Sequence, residues 1–323
     1  MSELPLNRII CGDALEVLKT LPSESIDCCI TSPPYYALRN YDVEGQIGFE
    51  KTYQEFINNL IAIFDEIKRV LKPTGTCFVN LGDSYASIGK IGGDLDTDKG
   101  LDMNRGRSRI EKGNYQEKCL MMIPERFAIE MIEKKWILRN KIVWVKPNAM
   151  PESVQDRWKK AHEYIFFFTK RKSYYFDLDS IRTPHKEVSI KRAEYEQGRN
   201  ALGKNPSSMG KKYLGNERYI GMPARMVKLN PIGGIPPDFL YVNTNCTEDD
   251  TAEEHHATYP QKLIAPLLKA GCPEKGVVLD PFMGSGTTAV VVKKLNRQFI
   301  GIELNKSYIT IAENRLRAVN PLF

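Results

Sequence analysis

Residues 277–303 constrain the fold of this chain more than any other stretch, because a strand, a glycine turn and a helix follow one another there. An apolar run ends at Asp280, and a turn with two glycines, Gly284 and Gly286, comes next. A helical pattern then starts at Thr287. A strand that passes through a tight glycine turn into a helix is a building unit of α/β domains. The stretch therefore predicts an α/β fold with a mostly parallel sheet.

Strand-like apolar runs alternate with amphipathic helical patterns along most of the chain, which supports the same fold class. The predicted strands are 8–11, 25–31, 76–81, 141–145, 164–169, 277–279 and 299–302. The predicted helices are 14–20, 54–71, 122–134, 260–270, 287–295 and a last one that ends at 317. Two segments interrupt the pattern, namely 86–118, which holds six glycines, and 180–250, which is polar. We predict a long loop for the first and irregular structure for the second.

Composition excludes several classes of protein for these 323 residues. Hydrophobic residues make up 42% and charged residues 27%, which does not fit a disordered chain, a collagen or a coiled coil. No apolar run reaches the length of a membrane span, and the first residues do not resemble a secretory signal. The seven cysteines form no CxxC pair, which argues against a zinc ribbon or a disulfide framework. We therefore expect a cytoplasmic protein without a structural metal.

The positive charge of the chain is concentrated in one segment. The net charge is +6, and residues 182–228 alone hold 11 basic and four acidic side chains, a local excess of +7. Tyr195, Tyr213 and Tyr219 are interleaved with these charges. A basic stretch with aromatic residues is typical of nucleic-acid binding, although a solvated loop fits the pattern equally well.

The glycine turn has the features of a nucleoside-binding site. Gly284 and Gly286 let the backbone approach a ligand closely, and Glu303 at the end of the next strand can accept hydrogen bonds from a ribose diol. The pattern also fits a nicotinamide dehydrogenase or an ordinary glycine-rich turn. Asp280 separates the ligand classes, because an acid there would repel a pyrophosphate and suit a cation. S-adenosylmethionine has a ribose and a positive charge but no phosphate.

A second motif, Thr31-Ser32-Pro33-Pro34-Tyr35, follows a predicted buried strand. The two prolines lack N–H donors, so their carbonyls and the Ser32 oxygen remain as acceptors for an exocyclic amine. Tyr35 offers a flat face on which a base can stack. Taken alone, the motif fits a proline turn with a packing tyrosine better. Beside a cofactor turn, it favours a pocket for a base.

Together, the T-S-P-P-Y and D-P-F-M-G-S-G-T-T motifs resemble those of DNA amino-methyltransferases of restriction–modification type. The Ser-Pro-Pro-Tyr turn precedes the cofactor turn, as in the beta group, whose methyltransferase fold is circularly permuted. The resemblance covers residues 7–84, 119–179 and 255–317. It implies S-adenosylmethionine as the cofactor and double-stranded DNA as the substrate.

The resemblance also implies a domain organisation. Residues 1–179 form the catalytic half with the Ser-Pro-Pro-Tyr turn, and the loop 86–118 is inserted into it. Residues 180–250 form a basic target-recognition region. Residues 251–323 form the cofactor-binding half, which completes the same catalytic domain.

Site residues follow from the same resemblance. It assigns Ser32, Pro33 and Pro34 to the target amine and Tyr35 to stacking on the base. It assigns to the cofactor Asp13, Ala14, Tyr259, Lys262, Asp280, Pro281, Phe282, Gly284, Gly286, Thr287 and Glu303. Asp13 also fits a helix N-cap. The segments 144–148 and 162–164 resemble the lining of a target-base pocket, although core packing explains them equally well.

The implied reaction is direct methylation of an exocyclic nitrogen of a flipped base. An enzyme that methylates cytosine at carbon 5 needs a Pro-Cys dipeptide for its nucleophile, and the chain contains no Pro-Cys dipeptide. Ser32 favours cytosine N4, because aspartate or asparagine accompanies adenine N6 in that family. An adenine N6 methyltransferase, a protein amide methyltransferase and a DNA-binding module without activity remain alternatives. The sequence leaves open whether a cognate restriction endonuclease acts separately and whether the protein is a monomer or a homodimer.

Overall fold

The computed structural model describes residues 3–38, 43, 45–86, 115–201, 229–244 and 259–319. The chain divides into two compact units. The larger unit comprises Met1–Asp177 and Asp238–Phe323, and the smaller comprises Leu178–Pro237.

The larger unit is built on an eight-stranded sheet. Its strands are β1 (Arg8–Cys11), β2 (Ile26–Thr31), β3 (Leu71–Leu81), β4 (Ile137–Val145), β5 (His162–Thr169), β6 (Phe239–Tyr241), β7 (Val277–Asp280) and β8 (Gln298–Glu303). They lie in the order β1-β8-β7-β2-β3-β5-β4-β6. The first five in this order are parallel, β5 is antiparallel to both β3 and β4, and β6 is parallel to β4. The predicted α/β fold with a mostly parallel sheet is confirmed.

The sheet also explains the permuted order of the motifs. β1 pairs with β8 along its length, with Arg8 opposite Ile300 and Cys11 opposite Glu303. The strand near the start of the chain therefore extends the sheet beyond the strand near its end. In the same sheet β2 pairs with β7, so the Ser-Pro-Pro-Tyr turn after β2 and the glycine turn after β7 lie on adjacent strands.

Helices cover both faces of this sheet and bury apolar stripes against it. They are α1 (Ala14–Thr20), α2 (Tyr53–Val70), α3 (Ile123–Glu133), α5 (Gln261–Gly271), α6 (Thr287–Lys294) and α7 (Lys306–Val319), while α4 (Glu187–Ala201) belongs to the smaller unit. α2 begins with a capping box, in which Thr52 and Glu55 satisfy each other's backbone N–H groups. Its Phe56 and Phe64 are fully buried, and burial of such a side chain contributes ~1.5–3 kcal/mol. None of the described helices is long and apolar enough to cross a membrane.

Three details differ from the sequence predictions. β3 begins at Leu71 instead of residue 76, because the backbone becomes extended at the residue after α2. β4 begins at Ile137 instead of residue 141. The prediction of irregular structure throughout 180–250 was wrong, because α4 and β6 lie there. The sequence of α4 is polar, so it has no apolar stripe that would reveal a helix.

Candidate active site

The carboxyl ends of β1, β8, β7 and β2 meet at one edge of the sheet, where they surround an open cleft. Ligands of open α/β sheets bind at this edge. The cleft is lined by eight of the predicted site residues, namely Asp13, Ala14, Ser32, Pro34, Pro281, Phe282, Gly284 and Glu303. The two motifs therefore open into the same space, although the sequence separates them by more than 200 residues.

Glu303 is held by the glycine turn that it faces. Its Oε2 accepts a hydrogen bond from the backbone N–H of Gly284 at 2.8 Å, and its Oε1 accepts one from Asn305 at 2.8 Å. Each carboxylate oxygen has two acceptor positions, so one on each oxygen remains for a ligand. Burial raises the pKa of Glu303, whereas these two backbone hydrogen bonds lower it. The carboxylate is thus fixed in place and retains the capacity to bind a diol.

Gly286 and Thr287 shape the turn from behind. Gly286 has a φ of 82°, and a Cβ on it would lie 2.7 Å from the Cβ of Ala312 in α7. The Thr287 hydroxyl is buried and accepts a hydrogen bond from Arg315 at 3.1 Å. Neither residue lines the cleft. Both hold the glycine turn against α7.

Asp280 lies beneath the cleft and is 1% exposed. Its Oδ1 accepts hydrogen bonds from Thr31 at 2.7 Å and from the backbone N–H of Phe282 at 3.1 Å. Its Oδ2 lies 3.1 Å from the Tyr259 hydroxyl and 2.5 Å from the Thr288 hydroxyl. These two hydroxyls also hydrogen-bond each other, so only one of their protons points at Asp280 at a time. Three donors therefore share the four acceptor positions of the carboxylate. That this acid suits a cationic ligand stays a prediction.

The hydrogen bonds of Asp280 also give it a structural role beneath the cleft. Burial raises its pKa, while the hydrogen bonds it accepts favour the ionised form and lower the pKa. The carboxylate ties the end of β7 to β2, through Thr31, and to α6, through Thr288. It places a negative charge directly below the glycine turn.

Asp13 combines two roles that the sequence left open. Its Oδ1 accepts a hydrogen bond from the backbone N–H of Glu16 at 3.0 Å, so it is the N-cap of α1. The side chain also lines the cleft with Ala14. Capping fixes the Asp13 side chain at the mouth of the cleft and leaves its second oxygen for a donor.

Tyr35 is fixed on two sides. Its hydroxyl lies 2.8 Å from Oε2 of Glu163 and 3.1 Å from Oδ1 of Asn80. Gly82 lies against one side of the ring, and a Cβ there would collide with it. The ring therefore has a defined orientation beside the Ser-Pro-Pro-Tyr turn.

The groups around Tyr35 form a polar network from three strands. Glu163 of β5 pairs with Lys146, which follows β4, and their side chains are 11% and 18% exposed. The Asn80 amide of β3 donates to Oε2 of Glu163 at 3.2 Å and to the carbonyl of Tyr164 at 3.1 Å. These two bonds orient the Asn80 oxygen towards Tyr35, and towards the Ser32 hydroxyl at 3.5 Å.

Sequence reasoning missed parts of the site. Asn80 was not predicted, although a single asparagine inside the apolar run of β3 was a usable signal. Lys146 and Glu163 lie in the segments 144–148 and 162–164 that resemble a pocket lining, but their pairing was not predicted. The cleft is also lined by residues outside the predicted set, namely Gly12, Val43, Gly45, Gln46, Ile47, Ser285, Leu304, Asn305 and Tyr308. Of these, Ser285 stands within the D-P-F-M-G-S-G-T-T motif and Gly12 directly precedes Asp13. Asn305 directly precedes α7 and accepts hydrogen bonds from the backbone N–H and the hydroxyl of Ser307. This helix-start pattern directly after Glu303 was the signal that could have found it.

Other predicted residues lie elsewhere. Pro33 and Tyr259 pack below the lining, with Tyr259 bonded to Asp280. Lys262 is exposed at the beginning of α5 and does not line the cleft. Most of the predicted loop 86–118 and of the basic segment 182–228 lies outside the described residues.

Comparison with known proteins gives consistent matches over nearly the whole chain. The family model described as "DNA methylase" matches residues 26–314. The type II methyltransferase M.XycI of Xanthomonas campestris pv. cyanopsidis is 37% identical, over 96% of this chain and 87% of the relative. The type II methyltransferase M.Cfr9I of Citrobacter freundii is 39% identical, over 95% of this chain and 86% of the relative.

Solved structures show the same fold at lower sequence identity. The PvuII DNA methyltransferase, described as cytosine-N4-specific, matches with a TM-score of 0.62 and 19% identity, over 95% of this chain and 85% of that one. A putative DNA modification methylase of Thermus thermophilus, complexed with S-adenosyl-L-methionine, matches with a TM-score of 0.56 and 21% identity, over 98% and 95% of the two chains.

Proposed function

The chain belongs to the DNA methylase family, and from this premise we propose that it transfers a methyl group from S-adenosylmethionine to the exocyclic N4 of a cytosine in duplex DNA. The observation that carries the proposal is the shared cleft. Glu303 and Gly284 line it together with Ser32 and Pro34. A methyl donor bound by the first pair is then adjacent to an amine bound by the second.

The donor set of the cleft fits S-adenosylmethionine. The free acceptor positions of Glu303 bind the two ribose hydroxyls, and Asp13 accepts a hydrogen bond from the adenine amine. Phe282 and Pro281 supply apolar surface. Asp280 contributes its charge from beneath the cleft, because a buried anion favours a cationic ligand nearby. When bound, the cofactor supplies an electrophilic methyl group.

The Ser-Pro-Pro-Tyr turn orients the attacking amine. Asn80 accepts a hydrogen bond from the Ser32 hydroxyl, so the lone pairs of the Ser32 oxygen remain for an N–H of the base. A carbonyl of the proline pair accepts the second N–H. With both protons held, the nitrogen lone pair points towards the methyl donor. Much of the rate then comes from positioning.

Tyr35 holds the ring of the target base. Gly82 lies against the Tyr35 ring and, together with the contacts of the hydroxyl to Glu163 and Asn80, fixes the position from which we propose that the ring stacks on the base. A base inside a duplex cannot reach the cleft, so the target must leave the helical stack. Residues 180–250 are proposed to read the sequence around it, and the separate compact unit Leu178–Pro237 supports a distinct role for this region.

The choice of cytosine rests on the motif and on one structural neighbour. Ser32 opens the turn, and the PvuII enzyme that shares the fold is described as cytosine-N4-specific. The names of the relatives as type II methyltransferases support the further proposal that methylation protects sites from a separate restriction endonuclease.

Product analysis tests this proposal. The protein is incubated with unmethylated plasmid and isotopically labelled S-adenosylmethionine, and the DNA is digested to nucleosides for mass analysis. We expect labelled N4-methylcytosine. The variant Glu303→Ala is the matched control for cofactor dependence. Labelled N6-methyladenine would retain the enzyme class and overturn the base assignment, whereas a product in neither base would overturn the function.

A further inference from the structure

A loop between β4 and β5, residues 146–161, presents a bare aromatic ring to solvent. Trp158 in this loop is 94% exposed, and Met150 is 76% exposed. The other two tryptophans of the chain, Trp136 and Trp144, are each 3% exposed. An indole this exposed, with Met150 exposed in the same loop, gains the free energy of burial when a partner covers it.

The loop that carries Trp158 is tied down. Arg157 pairs with Glu152 at 2.6 Å, and its guanidinium carbon lies 4.2 Å from the ring centre of Tyr85. The Lys160 ammonium donates to the carbonyl of Asp83 at 2.6 Å. These contacts fix the residues on both sides of Trp158, so the loop holds the indole outward.

The same contacts also place the loop beside the proposed pocket for the target base. Asp83 and Tyr85, which the loop contacts, follow directly after β3, and Ser84 between them donates to the carbonyl of Tyr36 at 2.7 Å. β4 ends at Val145, where the loop begins, at the same edge of the sheet as the carboxyl end of β3. The loop thus forms part of the rim around Tyr35.

The charges near the indole favour an anionic partner. Arg157, Lys159 and Lys160 flank Trp158 in sequence, and the whole loop 146–161 holds four basic and two acidic residues, a net charge of +2 even though Arg157 pairs with Glu152. Lysine and arginine residues around an apolar ring match a polymer that has phosphates outside and flat bases inside. Duplex DNA has this arrangement, and it is the substrate class of the family.

We propose that Trp158 inserts into the DNA stack next to the base that leaves it. The inference rests on the proposed function, because it assumes that a base is flipped. Removal of a base opens an apolar gap in the duplex, and a planar indole restores stacking there. A rigid loop adds little ordering cost on binding. Trp158 then acts on the DNA conformation and does not touch the reacting nitrogen.

Tryptophan fluorescence tests the contact directly. Because the other two indoles are buried, acrylamide should quench Trp158 selectively in the free protein. On titration with a cognate duplex, we expect quenching of the remaining emission by the bases and protection from acrylamide. The variant Trp158→Phe should lose both changes. Unchanged emission and unchanged acrylamide access in saturating DNA would overturn the proposal, and so would the same changes on raising the protein concentration without DNA.

A second measurement links the contact to base flipping. With 2-aminopurine at the target position, Trp158→Ala should show about 10-fold less of the flipped signal and a similar loss of kcat/KM, with Trp158→Phe in between. Met150→Ala, in the same loop, is the control that should match the wild type. Wild-type flipping and methylation in Trp158→Ala would overturn the proposal. Failure of the proposed function is distinguishable, because it appears as absent methylation by the wild-type protein.

Discussion

The hydroxyl of Tyr35 lies 2.8 Å from Oε2 of Glu163, so the aromatic residue of the Ser-Pro-Pro-Tyr turn is positioned by a carboxylate from the antiparallel part of the sheet. Lys146 neutralises that carboxylate, and Asn80 connects it to Ser32. The pocket that we propose for the base is thus one hydrogen-bonded unit. Its parts come from the turn after β2 and from three other strands.

The first prediction separates the ring of Tyr35 from its hydroxyl. Tyr35→Ala removes a stacking surface of ~1–3 kcal/mol, so methylation should fall by roughly 5- to 150-fold while cofactor affinity is retained. Tyr35→Phe keeps the ring and loses a bond to a charged group, ~1.5–3 kcal/mol. It should show a smaller loss of activity. Steady-state kinetics and calorimetric titration of S-adenosylmethionine measure both effects. Equal activity of Tyr35→Ala and the wild type would make Tyr35 a packing residue.

The second prediction concerns Asp280. Asp280→Ala leaves the Thr31 hydroxyl without its acceptor and leaves Thr288 and Tyr259 only each other, and each unmet buried donor costs ~1–3 kcal/mol. We expect a clear loss of unfolding free energy in urea together with weaker cofactor binding. Asp280→Asn, which keeps the size and one acceptor, should be more stable and still bind the cofactor less tightly. Full cofactor affinity in Asp280→Asn would show that the charge is not needed.

The third prediction is a pH dependence that comes from Glu303. Burial raises its pKa above the ordinary value, and the ribose hydroxyls bind the ionised form. Cofactor affinity should therefore fall as the pH is lowered through this raised pKa, and the loss should begin above pH ~4.5, the unperturbed glutamate range. Isothermal titration at a series of pH values from neutral downwards follows the change. Glu303→Gln should bind more weakly with a flatter profile, and an identical slope in the variant would assign the dependence to another group.

The fourth prediction compares the two glycines of the turn. Both have positive φ, which costs a side chain ~1–2 kcal/mol. Gly286→Ala adds a clash with Ala312, so it should destabilise the protein by more than Gly284→Ala does, by ~1–3 kcal/mol. At Gly284 the space is open and faces the cleft, so the alanine should mainly reduce cofactor affinity. Denaturation curves and binding titrations should therefore rank the two variants in opposite orders.

The fifth prediction comes from the sequence of the basic segment. Lys211 and Lys212 lie within the +7 excess of residues 182–228. Alanine at either position should weaken binding to cognate and random duplexes alike. It should also reduce the slope of log K against log salt by about one for each phosphate that is no longer neutralised. Should no variant of the basic residues alter affinity, salt slope or site preference, the segment would be a solvated loop.

The fold was predictable where burial dictates the pattern. β2 and β7 are central strands, and their continuous apolar runs are visible in the sequence. The helix α4 was missed because its polar residues carry no periodic signal. β6 was missed because three residues are too few for one.

The site was predictable only in part. The glycines and Glu303 stand at fixed spacing on one strand–turn–helix–strand unit, so the sequence indicates their proximity. The bonds of Tyr35 to Glu163, and of Asp280 to Thr31, join residues 128 and 249 positions apart. No local pattern encodes such pairs. The hydrogen bonds that surround Asp280 could be found only in three dimensions.

The pairing of β1 with β8 has a consequence for how the protein is made. A ribosome releases β1 first, and its partner strand emerges almost 300 residues later. β2 likewise waits for β7. During synthesis the nascent chain therefore carries strand edges that are not yet paired, a state that folds slowly and favours chaperone binding. Gly284, Glu303 and the Ser-Pro-Pro-Tyr turn come together when β7 and β8 enter the sheet. A chain still under synthesis thus lacks the cleft, and methylating capacity arises in one late step.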